Sequence, residues 1–383
     1  MRVALAPRYA DTRVIVVPGA DRPSTTLLPS RRARYRRKEW CDSSLNCCSV
    51  QLGCLRLSEA TPTTADRVLG CLKGVAIGDA IGKQTETLSP ADITRWYPNG
   101  VRGFEGAAGA VIPRYVGNSK HEWRIGETTD DTERTIAVAR AIIRDRRVSH
   151  ESIGREMLGC RKCVHPGVKS LWEFHQANDP VRIATMHDGC GAAIRVAPVG
   201  IFQPTSDLDA VVSGAREASI STHGGSLAIA AAAATAAAIS GAIDGASPHQ
   251  ILSLAERAAA LAESRWPGTG SPAVAAAIHD AHADLAAMPT VRSGDIAARW
   301  FPDGPLTIVP LALALATVLQ SAEEAILVAT NIGGDSDSVA SIAGGILGAR
   351  HPETINDKWY SVVDRVNDHD LETLANQLVL LRR

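Results

Sequence analysis

Aromatic side chains are scarce in this sequence, 4 % of 383 residues against a hydrophobic share of 45 %. That shortage disfavours a core of Val, Tyr and Phe strands, whereas abundant Ala together with 32 Gly suits closely packed helices. Net charge is nearly absent as well. The 40 basic and 41 acidic side chains leave −1, which argues against wholesale binding of nucleic acid or membrane and for small or local partners. No secretory signal is recognisable, so the eight cysteines are expected to be reduced thiols in a cytoplasmic protein and not a disulfide scaffold. Cys41, Cys47, Cys48 and Cys54 lack the CxxC spacing of a zinc site, and Cys160-Arg-Lys-Cys163 with His165 is a lone CxxC, more often incidental than metal-binding. A strongly hydrophobic membrane span is missing too. The apolar stretch Ser226 to Ile243 is mostly Ala with Thr235, Ser240 and Gly241, and it reads as a buried core helix.

What is present divides the chain unevenly. Residues 1–60 carry Pro18, Pro23 and Pro29, then Arg31, Arg32, Arg34, Arg36, Arg37 and Lys38, with 11 basic against 5 acidic side chains in the segment. It shows no sustained period and reads as a flexible, basic, Cys-containing extension, a solvated leader or a mis-assigned start, with a nucleic-acid arm as the alternative. From Thr63 onward the pattern is helical. Val68, Cys71, Leu72, Val75 and Ala76 form one stripe within Thr64 to Ile81, and Ile136, Val138, Ala139, Ile142 and Ile143 repeat the signal within Glu133 to Arg144. Further helical windows fall at about 207–219, 225–243, 248–263, 272–287, 306–320, 338–349 and 369–382. No strand run with clean alternation follows residue 63, so one compact all-α domain is expected over 61–383.

Two acidic clusters carry the chemistry. In Gly126-Glu127-Thr128-Thr129-Asp130-Asp131-Thr132-Glu133, Thr129 is placed to cap the following helix, and Asp130 and Asp131 occupy a first turn that favours carboxylates. In Asn331-Ile332-Gly333-Gly334-Asp335-Ser336-Asp337-Ser338 the glycines permit a sharp turn and close approach to a ligand, and three oxygen donors crowd together where a cap needs one. Four carboxylates that converged would repel one another without cations. Oxygen donors of this kind suit Mg²⁺ or Mn²⁺ over Zn²⁺, and a pair of such ions is able to hold sugar hydroxyls and activate water. The clusters lie 205 positions apart, and the sequence by itself does not bring them together.

The segments TTDDT at 128–132 and GGDSDS at 333–338 resemble the two signature motifs of the ADP-ribosylglycohydrolase family, which includes dinitrogenase-reductase-activating glycohydrolases and ADP-ribosylarginine hydrolases. Gly74-Val-Ala-Ile-Gly78-Asp79-Ala-Ile-Gly82-Lys-Gln-Thr-Glu86 is similar to the family's N-terminal helix with its downstream Glu, and Gly189-Cys-Gly-Ala-Ala-Ile-Arg195-Val-Ala-Pro-Val-Gly200 to its central Gly-rich segment. Ser221-Thr222-His223 is similar to a fifth, weaker motif, and the resemblance spans about residues 64 to 350.

The resemblance implies a compact orthogonal multi-helix fold and two Mg²⁺ or Mn²⁺ ions held by Thr129, Asp130, Asp131, Asp335, Asp337 and Ser338. Ser338 stands where the family often has Thr and keeps the hydroxyl. Glu86 is implied as the acidic group near the ribose, with Asp131 and Asp335 beside it in catalysis. Gly189 and Gly191 offer either backbone N–H groups to phosphate or a tight turn before a core helix. His223 contacts the diphosphate or caps neighbouring backbone, and Asp79 reads as a structural anchor. The implied activity is water attack at the ribose anomeric carbon that frees ADP-ribose from an acceptor, with Cys190 and the Asp335-Ser336-Asp337-Ser338 wording pointing to protein arginine. A hydrolase of a small ribosylated metabolite or nucleoside, and a non-catalytic ADP-ribose-binding regulator, remain the alternatives.

Overall fold

The computed structural model describes residues 61–116, 119–268 and 273–382. The extension expected over residues 1–60, with Cys41, Cys47, Cys48 and Cys54, lies outside them. Among the described residues the chain forms α1 (Thr64–Gly82), α2 (Pro90–Trp96), the hairpin strands β1 (Val111–Val116) and β2 (Ser119–Arg124), α3 (Asp130–Asp145), α4 (His150–Met157) and α5 (Lys169–Ala177). A 3₁₀ turn (Cys190–Arg195) leads into α6 (Ala197–Phe202), α7 (Leu208–Ser219), α8 (Ser226–Ile243), α9 (Pro248–Arg265) and α10 (Val274–Ala286). Then follow α11 (Ser293–Ala297), α12 (Pro305–Val318), α13 (Ala322–Thr330), α14 (Ser336–Arg350), α15 (Asp357–Asn367) and α16 (Leu371–Leu381). The all-α reading is borne out. One exception stands against it: β1 and β2 pair antiparallel, Val111 opposite Arg124 and Val116 opposite Ser119. Pro113 interrupts the β1 pattern, which demotes it as a strand in the sequence yet is tolerated in a two-stranded ribbon.

Helix α8 sits at the centre, with every residue from Ala228 to Ile243 buried. A helix apolar on all sides belongs inside a core, and 89 % of this membrane-length stretch is buried within the protein. Alanine here serves geometry, because short side chains let neighbouring helix axes approach closely.

Helices α1 and α14 run antiparallel along a ladder of glycines. A Cβ built at Gly70, Gly74 or Gly78 would lie 2.2, 2.1 or 2.2 Å from the carbonyl oxygen of Gly348, Gly344 or Ala340, and one at Gly82 would lie 2.5 Å from the Asp337 Cα. The i, i+4 spacing puts all four on one face, so backbone packs on backbone. That contact fixes the end of α1 against the beginning of α14.

Candidate active site

Helix α1 starts with a capping box, in which Thr63 Oγ1 accepts from the Asp66 N–H at 3.2 Å and Asp66 accepts from the Thr63 N–H at 2.8 Å. Near its other end Asp79 is fully buried. Its carboxylate accepts from the backbone N–H groups of Thr129 at 2.9 Å and Thr132 at 3.1 Å, and from Thr132 Oγ1 at 2.5 Å. It therefore anchors the start of α3 by satisfying N–H groups that have no partner within that helix. Thr129 is the N-cap expected of it, accepting from the Asp131 N–H at 3.2 Å.

Beyond α1 the chain turns onto the second motif. The Thr87 N–H donates to Gly334 O at 2.7 Å and the Gly334 N–H to Leu88 O at 3.0 Å. Gly333 and Gly334 both have positive φ, +86° and +64°. A Cβ there would lie 2.2 Å from Leu88 O and 2.4 Å from Pro302 O, so the close approach these glycines permit is to the protein's own backbone. Ser336 is spent the same way. Its hydroxyl donates to Gly82 O at 2.9 Å and lies 3.0 Å from Thr85 Oγ1.

The carboxylates meet unequal surroundings. Asp130 pairs with Arg134 one turn on, and Asp335 accepts from Cys190 Sγ at 3.1 Å. Ser338 Oγ lies 3.9 Å from the same sulfur. Glu86 pairs with Lys83, whose Nζ is 3.8 Å from Asp337 Oδ2. Asp131 Oδ2 and Asp337 Oδ1 are buried and have no hydrogen-bond partner among the described residues. Burial above all, then the neighbouring carboxylates, pushes the pKa of both Asp131 and Asp337 well above the usual range. For Asp131 the largest of those neighbours is Asp130, and for Asp337 it is Glu86.

The opposite wall is the Gly-rich turn. Gly189 and Gly191 leave room for His223: a Cβ on Gly191 would lie 2.7 Å from His223 Cε1, and one on Gly189 would lie 3.3 Å from Nε2. The ring nitrogens face side-chain hydroxyls, Thr222 Oγ1 at 2.7 Å and Ser170 Oγ at 3.3 Å, and not neighbouring backbone. Burial, then Arg195 and Arg134, holds the imidazole neutral. Arg195 is fully buried and donates to Gly191 O at 2.6 Å, Ala218 O at 2.9 Å and Thr222 Oγ1 at 2.9 Å, which ties this turn to the one before α8.

One cavity of about 350 Å³ is lined by Glu86, Asp130, Asp131, Asp335, Asp337, Ser338, Gly189, Gly191 and His223. Thr129, the remaining predicted residue, does not line it and is committed to its cap. Among the described residues no group of three or more His, Cys, Asp or Glu is closed up as a metal cluster. Asp130 and Glu86 lean on Arg134 and Lys83 instead. Sequence reasoning missed both cations, although Asp130–Arg134 at i, i+4 and Lys83–Glu86 at i, i+3 are legible spacings. It read Cys163 only as part of an incidental CxxC, whereas that residue lines the cavity and its thiol pKa is raised by burial and then by Asp130.

A mainly helical domain that gathers two acidic helix starts at one cavity is the class that fold and site define. The profile of the ADP-ribosylglycohydrolase family matches residues 60–383, and the chain belongs to that family of hydrolases. It is 29 % identical over 341 residues to the uncharacterized protein YegU of Escherichia coli (strain K12), covering 83 % of this chain and 98 % of that one. To an uncharacterized protein of Archaeoglobus fulgidus it is 28 % identical over 326 residues, covering 82 % and 96 %. A solved structure described as an ADP-ribosylglycohydrolase-related protein complex superposes with a TM-score of 0.59 at 22 % identity, covering 84 % of this chain and 99 % of that one, and shares the fold.

Proposed function

We propose that this protein, working in the cytoplasm, hydrolyses the bond between ribose C1 of an ADP-ribosyl group and its acceptor. Two Mg²⁺ or Mn²⁺ ions would be held by Thr129, Asp130, Asp131, Asp335, Asp337 and Ser338, with Thr129 contributing the remaining lone pair of its capping hydroxyl. The observation that carries the reading is the pair of buried oxygens without partners among the described residues, Asp131 Oδ2 and Asp337 Oδ1, in one acidic cavity. Buried carboxylates left in this way either take up protons or attract cations. A set of carboxylate and hydroxyl oxygens fits hard divalent ions. When bound, such ions supply Lewis acidity and a grip on the ribose hydroxyls.

The chain's own groups carry the proton traffic. Glu86 takes a proton from the attacking water as the water oxygen bonds to C1, the bond from C1 to the acceptor breaks with its electron pair going to the acceptor, and the departing acceptor takes up a proton from solvent. Positive charge developing on the sugar ring is met by the aspartates around it. We assign arginine as the acceptor, because Cys190, which lines the cavity and donates to Asp335, and the Asp335-Ser336-Asp337-Ser338 wording resemble the arginine-specific hydrolases. The cavity volume, about 350 Å³, favours a second reading in which the substrate is a small ribosylated metabolite or nucleoside.

Release of ADP-ribose from arginine-, serine- and nucleoside-linked substrates, with Mg²⁺, Mn²⁺ or EDTA, separates these readings. Arginine-linked release that EDTA abolishes is expected, and Glu86→Gln should lower kcat about 10²–10⁴-fold. Activity indifferent to EDTA, or retained in folded Asp335→Ala, overturns the metal reading, and preference for the nucleoside link overturns the arginine assignment.

A further inference from the structure

Lys83 is the first residue past α1, where the glycine ladder has delivered the chain to the start of α14. Its ammonium pairs with Glu86 and stands 3.8 Å from Asp337 Oδ2. The centroid of a Trp123 ring on β2 lies 5.9 Å from Nζ, and the side chain is 18 % exposed. A lysine is ordinarily protonated, and an ammonium set between two carboxylates stays so. A permanent cation therefore stands between the proposed general base and a proposed metal ligand.

We propose that Lys83 is a resident counter-cation of this site, balancing Glu86 and Asp337 in the metal-free protein and yielding Asp337 when a divalent ion binds. The inference rests on the metal reading above. An ammonium and a divalent ion repel each other across a distance of this order, so Lys83 lowers the affinity for metal. By pairing with Glu86, it also fixes where that carboxylate stands on the cavity wall. Lys83 is thus a positioning residue, acting through Glu86 and Asp337.

The test is Mn²⁺ binding, read as free Mn²⁺ by electron paramagnetic resonance, on the full-length chain, Lys83→Met, Lys83→Arg and Asp335→Ala. Lys83→Met should bind Mn²⁺ about tenfold more tightly, or ~1.4 kcal/mol, and Lys83→Arg should stay near the parent. Should Lys83→Met fail to fold, Lys83→Gln serves with the same expectation. Unchanged or weaker binding in the neutral variants, while the parent binds and Asp335→Ala does not, overturns the role of Lys83 alone. Equal binding by the parent and Asp335→Ala, or none by the parent, brings down the metal reading and this inference with it.

Discussion

Asp337 shows at one residue how charge, burial and helix geometry compete. It sits in the first turn of α14, where a carboxylate is favoured, yet it is buried and faces Glu86, Asp335 and Asp131, with Lys83 in partial compensation. Its folded pKa lies above the unfolded value, so the folded metal-free chain keeps a proton that the unfolded chain gives up. The stability linked to that proton is whole below about pH 4, near the ordinary carboxylate pKa, and is lost as pH rises toward the elevated folded value. Asp337→Asn should therefore raise the thermal midpoint of EDTA-treated protein by a few degrees at pH 8 and scarcely at all at pH 4. A lower midpoint at pH 8 would mean that Asp337 is stabilising as it stands. The four aspartates were legible because a helix cap needs one oxygen and each motif supplies several. The bond from Cys190 to Asp335 was not, since a contact across 145 positions leaves no local pattern.

At the scale of elements, most long helices announced themselves and short ones did not, although α15, as long as α16, falls in no expected window. Helices such as α2, α4 and α11, with 7, 8 and 5 residues, are too brief to display an i, i+7 repeat. Helix α3 begins at Asp130, six residues before the first residue of its apolar stripe, Ile136, because Thr129 caps it there. Gly74, Gly78 and Gly82 were visible as a motif, but their reason lies in a partner helix the sequence does not name. Ala in place of Gly inside a helix ordinarily gains about 1 kcal/mol. At Gly78 the new methyl would meet the Ala340 carbonyl oxygen at 2.2 Å, an overlap of backbone that costs about 1–3 kcal/mol or more. Gly78→Ala should therefore lower the unfolding midpoint, measured by circular dichroism, and weaken activity even where the protein remains folded. A stabilised variant would remove the ladder from its place in positioning the site.

For the whole molecule, the core around α8 and the cavity between α3 and α14 were readable as separate facts, and only folding joins them. Binding at that junction links to global stability. With Mn²⁺ at about 100 times its Kd the folded state gains about 2.7 kcal/mol, so the midpoint should climb with added Mn²⁺ in the parent and stay level in Asp335→Ala. The ladder of α1 on α14 also bears on how the protein is made. Gly70 to Gly82 wait for partners at positions 336–348, roughly 260 residues later, an interval on the order of 10–50 s at the usual pace of synthesis. Through that time a ribosome-bound chain has a bare glycine face, and Glu86, Asp130 and Asp131 lack Asp335 and Asp337. On the proposed reading the site is then a late product of translation, and a chain halted before α14 should be inert however well its first helices have formed.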